Sequence, residues 1–196
     1  MKKFLALLLM AVMTLGLMAC GKTEPEVPNT PVPEVEQVAE TPEEILASIM
    51  IEYEEDEKFP LAGGDYSHIV EETPGKIDVT NGEDLDALFG FPADKVAKID
   101  DGASVMHMMN QNTFTAACYH VTESSEESIA ALAEDIKANI ENRQWLCGFP
   151  DELVIYKAAK DNLVVAFGAE DIINTFEVHL VDVYDAELLH EVNLTF

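Results

Sequence analysis

Positive charge is what this sequence has least of. Eleven Lys and Arg stand against 38 Asp and Glu in 196 residues, a formal charge of −27 at pH 7. Binding to nucleic acid depends on Lys and Arg displacing counterions from phosphates, so this balance argues against it as a partner. An anionic membrane surface repels the chain for the same reason. Cysteine is scarce too: Cys20, Cys118 and Cys147 are too few for a disulfide-dense scaffold. The motifs that announce chemistry are missing, since no glycine-flanked nucleophile elbow, phosphate loop, dinucleotide fingerprint or zinc-binding helix occurs. The carboxylates lack the spaced Asp, Asn and Gly of a calcium loop, and no repeat of solenoid length is visible. Long apolar runs are absent as well, with one exception at the N-terminus.

That run covers residues 4–17, follows Lys2 and Lys3, and leads into Leu17, Met18, Ala19 and Cys20. It has the length of a signal-peptide core and is too short to span a bilayer of roughly 30 Å comfortably. The small Ala19 before Cys20 fits a lipobox, although Met18 is an unusual occupant. The expectation is a signal peptide at residues 1–19 and a diacylglyceryl-modified Cys20 as the new N-terminus. Loss of the two leader lysines takes the formal charge from −27 to −29. Each buried acyl methylene contributes about 0.8 kcal/mol, so two chains anchor firmly without a basic patch. The protein is then expected on the outer, extracytoplasmic face of the cell membrane. Residues 20–41 follow as an acidic, Pro-rich tether, with Pro25, Pro28, Pro31 and Pro33 among five glutamates. Stiffened by proline and extended by like charge, it reaches roughly 60 Å at about 3.1 Å per residue.

The remainder, residues 42–196, has the length of a single domain at about 155 residues. Thr41, Pro42 and Glu44 form a capping box with proline at the first helical position. A helix to about Tyr53 follows, with Ile45, Leu46, Ile49, Met50 and Tyr53 on one face. Residues 58–81, with three glycines and two prolines among them, read as loop. A short helix is expected from Glu83 to Phe89, stopped by Gly90 and Pro92, then strands at 103–109 and 113–121. Ser124 and Glu127 open a long helix through Ile129, Leu132, Ile136 and Ile140. Two apolar runs at 153–158 and 163–167, separated by Lys160, Asp161 and Asn162, form a hairpin. A closing helix from Glu170 to about Val178 is favoured over a strand. This order predicts an α+β fold in two layers, a small antiparallel sheet of three to five strands packed against helices. Both faces of residues 163–167 are apolar, so that strand is expected to be central and covered on both sides.

The succession of a short acidic helix ending in Phe89 and Gly90, then Phe91 and Pro92, the segment 106–110, a strand, the helix through Ile136 and Ile140, and the hairpin before residues 163–167 resembles the domain of unknown function 4358 family. That family comprises small exported lipoproteins of low-GC Gram-positive bacteria. The resemblance covers roughly residues 80–180, with Met108, Met109 and Asn110 nearest to a family motif. It implies a location and a domain type, and no established activity.

Chemistry is sparse. A Cys118–Cys147 disulfide would contribute roughly 3 to 4 kcal/mol in the chain-entropy model. However, a helix folding back along the strand puts the two beyond the roughly 7 Å Cα limit, so two buried or partly buried free thiols are expected. Met106, His107, Met108 and Met109, with Cys118 and His120 nearby, are soft ligands of the kind Cu(I) prefers, yet a strand splits them between two faces. His68, His179 and His190 have no spacing to a second ligand. Asp65, Ser67 and His68 are the nearest approach to a nucleophile, base and acid, but neighbours in sequence rarely make a triad, and a polar loop is the simpler reading. Asp100, Asp101 and Gly102 read as a turn, and Trp145 with Leu146 as a plug for the core. No catalytic constellation, metal site or cofactor site is assigned. The expectation is a non-enzymatic binding or interaction module whose partner is an envelope protein or a small ligand, with Cu(I) handling through residues 106–109 as the alternative. Replacing Cys20 with alanine is expected to release the chain from membranes. A variant that still fractionates with them as tightly as the wild type overturns the anchor.

Overall fold

A computed structural model describes residues 40–194. The leader, Cys20 and all but the last two residues of the tether lie outside the described residues. Helix α1 (Pro42–Ile51) starts as expected: the Thr41 hydroxyl accepts from the Glu44 backbone N–H and the Glu44 carboxylate accepts from the Thr41 N–H. Residues 58–81 are not simply loop. They contain three short strands, β1 (Leu61–Gly64), β2 (Ile69–Glu71) and β3 (Gly75–Lys76). Their brevity, and in β1 and β3 their glycines, hide the alternation that marks a strand. The glycines are needed because β1 and β3 cross closely: a Cβ on Gly63 would collide with the backbone of Pro74 and Gly75.

Helix α2 (Gly82–Phe89) is capped by the Asn81 side chain and ends at Gly90 in the left-handed region, φ 66°. A 3-10 helix, Ala93–Lys98, leads into β4 (Ile99–His107), which pairs with β5 (Phe114–Val121). Asp100, Asp101 and Gly102 therefore lie within β4, where the register with β5 shifts in a bulge between Ile99 and Asp101, and do not form the expected turn. Helix α3 (Glu126–Glu141) is capped by Ser125, one residue later than expected, its hydroxyl accepting from the Ser128 N–H. The hairpin of β6 (Glu152–Ala158) and β7 (Asn162–Gly168) turns through Ala159 and Lys160, both at positive φ, and the Asn162 amide donates to the Ala159 carbonyl. The closing helix, α4 (Glu170–Tyr184), is longer than expected, and a strand, β8 (Glu187–Asn193), follows it.

Among the described residues, eight strands form one antiparallel sheet in the order β2-β1-β4-β5-β7-β6-β8, with β3 paired to β4. The fold is mixed α and β, but the sheet is larger than three to five strands and is packed on both faces. One face, through Tyr119, Ile155 and Val165, packs with Leu88 of α2 and Ile136 of α3. The other, through Phe114, Val154 and Val164, packs with Ile49 of α1 and Phe176 of α4. The expected two layers are three. Double coverage, expected for β7 alone, extends to β5 and β6, whose residues are nearly all buried. The two outermost strands differ from the centre: β2 has three residues, all exposed, and β8 is largely exposed with Glu187 and Glu191 along it. Phe176→Ala, emptying the centre of the α1/α4 layer, is expected to cost about 3 to 5 kcal/mol, whereas Leu188→Ala on β8 stays within about 0.5 kcal/mol. Urea unfolding of the two variants measures the difference.

Candidate functional site

Strand β4 ends and strand β5 begins at the same end of the sheet, and the turn between them, residues 108–113, meets the loop that follows α3, residues 143–150. Two asparagines join them. The Asn112 side-chain amide, buried, donates to the carbonyls of Leu146 and Gly148 at 2.8 and 2.9 Å, and the Asn110 amide donates to the carbonyl of Cys147 at 3.4 Å. Three consecutive carbonyls of one loop are thus received by side chains of the other. The Asn110 Oδ1 in turn accepts from the Asn112 N–H at 3.0 Å. The turn is held from beneath: the Met108 N–H donates to the Pro60 carbonyl, the Thr113 N–H to the Asn110 carbonyl, and the Thr115 hydroxyl to the Gln111 carbonyl. His107 is stacked on Phe59 at 5.4 Å between ring centroids, and its Nδ1 accepts from the N–H groups of Met109 and Asn110.

These bonds fix a surface of unusual composition. Met109 is 80% exposed, Leu146 79%, Phe149 61% and Met108 46%. Large apolar side chains on a hydrogen-bonded platform signal a contact surface more strongly than scattered single ones do. Behind the second loop, Trp145 is buried against Phe167 at 5.2 Å, with the Arg143 guanidinium 4.9 Å from its ring centroid. Trp145 therefore fills the core as expected, while Leu146 does not: it points outward. Cys147 sits at φ 65° and Gly148 at φ 121°, the conformations that turn the loop so that its carbonyls face the asparagines. Two clefts flank the tip. One, of about 390 Å³, is lined by Met50, Tyr53, Phe59, Leu61 and Met108 among others; the second, of about 410 Å³, by Ile69 and residues 106–111 among others.

The remaining candidates fall elsewhere. Cys118 is fully buried in β5, where burial pushes its thiol well up and removes its reactivity, while Cys147 is exposed, not partly buried as expected; both are free thiols. The structure does bring Asp65 and His68 together, at 3.2 Å, but as a turn. Asp65 is buried, and its carboxylate also accepts from the N–H groups of Ser67, His68 and Asp78. Burial pushes its pKa up, yet the Asp78, Ser67 and His68 donors outweigh this and hold it below the usual range. Three further histidines each meet one carboxylate: His120 with Asp100, His179 with Glu57 and His190 with Glu134. Among the described residues no group of three or more His, Cys, Asp and Glu is arranged to hold a metal ion, and no helix is long and apolar enough to cross a membrane.

One buried acid stands out. Glu152, at the start of β6, is 5% exposed and its Oε2 has no hydrogen-bond partner. Burial, with the charges of Glu177, Glu191, Glu170 and Asp151 around it, raises its pKa. Glu177 is raised as well, chiefly by burial, although it accepts from the Tyr156 hydroxyl at 2.6 Å.

No family model, curated protein or solved structure matches the chain.

Asn112→Ala removes two donors from the tip and is expected to cost about 1 to 3 kcal/mol, with faster amide hydrogen exchange over residues 145–149 and little change in the central strands. A second expectation concerns pH. A carboxyl whose folded pKa lies above its unfolded value stabilises fully below the unfolded value, and that contribution is lost as pH rises through the folded one. Glu152→Gln is therefore expected to flatten the fall in stability above about pH 4.5 and to raise the unfolding midpoint at pH 7. An unchanged pH profile contradicts it.

Proposed function

We propose that this chain is a non-enzymatic binding module, lipid-anchored through Cys20 at the outer face of the cell membrane, and that the two-loop tip is its contact surface. The observation that carries the reading is the asparagine clamp: Asn110 and Asn112 spend their side chains on holding Leu146, Cys147 and Gly148 beside the turn that displays Met108 and Met109. Contact residues on loops positioned by a rigid scaffold are the common arrangement for recognition. The placement of the chain entry fits. Helix α1 ends by the tip, where Met50 shares a cleft with Met108, and its cap Thr41 is ten residues away, about 15 Å along the helix. The location rests on Lys2, Lys3, the run at residues 4–17 and Cys20, and on the resemblance centred on Met108, Met109 and Asn110.

A second reading, Cu(I) handling, draws support from the cleft of about 410 Å³ that Met106, His107, Met108 and Met109 line together. Calorimetry with Cu(I) under reducing conditions tests it, and absence of heat rejects it. For the first reading, a photo-crosslinker at position 109 on intact cells is expected to capture one dominant protein, and the same group at Val178, exposed on α4, is not. Equal, diffuse labelling from both positions counts against the tip.

A further inference from the structure

The tip is apolar at its centre and acidic at its rim, and the basic residues near it are already engaged. Glu52, Glu54 and Asp56 follow α1 at this end of the molecule, Glu71 and Glu72 close β2 there, and Asp151, Glu170 and Asp171 lie just beyond Phe149 and Pro150; all are exposed. Lys58 lines one of the two clefts, but its ammonium is bonded to Glu55 at 2.6 Å. Arg143 in the second loop donates to the Ala87 carbonyl and lies over Trp145. The other lysines of β3 to β7 are placed differently: Lys98 pairs with Glu123, Lys95 with Asp135 and Lys137 with Glu134, Lys157 at the end of β6 and Lys160 in the turn after it lie at the opposite end of the sheet, and Lys76 on β3 stands opposite Ala103, four residues short of the tip end of β4. The field at the tip is therefore negative without local compensation, around side chains that gain by leaving water.

We propose that the tip takes a cationic, apolar protein segment, one in which Lys or Arg side chains flank one or two large apolar anchors. This rests on the reading of the tip as a contact surface and names its partner. Apolar anchors enter the clefts on either side of Met108, whose flexible thioether, like that of Met109, adapts to side chains of different shape. The flanking cations meet Glu71 and Glu72 on one side and Asp151, Glu170 and Asp171 on the other. Charge complementarity sets the choice between occupants. A second copy brings the same acidic rim and is repelled, and an anionic lipid surface is repelled likewise.

Three labelled peptides of one length, one of Lys and Leu, one of Glu and Leu and one of Lys and Ser, titrated onto the full chain by fluorescence anisotropy, test the proposal. The Lys/Leu peptide is expected to bind at least about tenfold more tightly than the other two, and more weakly as salt is added. The double variant Met109→Ser, Leu146→Ser is expected to reduce that affinity about tenfold or more, and the control pair Val178→Ser, Val181→Ser on α4 to leave it unchanged. Lys/Leu binding that ignores the tip variant is attraction to a polyanion in general and overturns the proposal. Tip-dependent binding of the Glu/Leu peptide, tip-dependent self-association in sedimentation, or tip-dependent flotation with phosphatidylcholine vesicles overturns the cationic partner while keeping the contact surface. If neither the peptides, a second copy nor the vesicles bind in a tip-dependent way, both readings fall.

Discussion

The structure depends on one constraint: the central strands must bury both of their faces. In β7, Leu163, Val165 and Phe167 pack toward α2 and α3 while Val164 and Ala166 pack toward α1 and α4. An antiparallel sheet usually leaves one face to water, and here that is impossible without exposing half of an apolar strand. Helices α2 and α3 cover one side and α1 and α4 the other. Everything else follows from where those helices can be joined to the sheet, since each connection has to run from a strand end to a helix end across the rim of a three-layer structure.

That geometry explains why the exposed two-loop tip lies at one end. The loop out of α3 and the turn from β4 to β5 are forced together there, and so are the exit of α1 and the entry to α4, where the Ala169 N–H donates to the Thr113 carbonyl. Loops meeting at a rim have backbone groups that no ladder satisfies. Asn110 and Asn112 supply the missing donors, and Met108, Met109 and Leu146 stand exposed on loops that are already held. Rigidity and exposure at this place come from the same few bonds.

Much of the layered plan was legible in the residues. Thr41 with Glu44, Gly90 after Phe89, and the spacing of Ile129, Leu132, Ile136 and Ile140 are local signals, and local structure follows them. The edges were illegible for a physical reason. Strands β1 to β3 are two to four residues long, β1 and β3 carry glycine, and β8 packs only Leu189 and Val192 in part against the core, so periodicity does not mark them; partners elsewhere in the chain decide their state. Three layers follow from an apolar pattern on both faces that β5 and β6 share with β7. At the tip, Met108, Met109 and Asn110 drew attention in the sequence, but Leu146 looked like core beside Trp145. Only the long-range bonds from Asn112, 34 and 36 residues away in sequence, turn it outward.

The outermost strands have a consequence of their own. An open sheet invites lateral growth, one copy adding to the next through unpaired backbone. Here β2 is too short to template a ribbon, and β8 lines its margin with Glu187 and Glu191, so two such margins brought side by side repel before they can zip. The same acidity that burial penalises at Glu152 works, at this margin, against edge-to-edge pairing between copies.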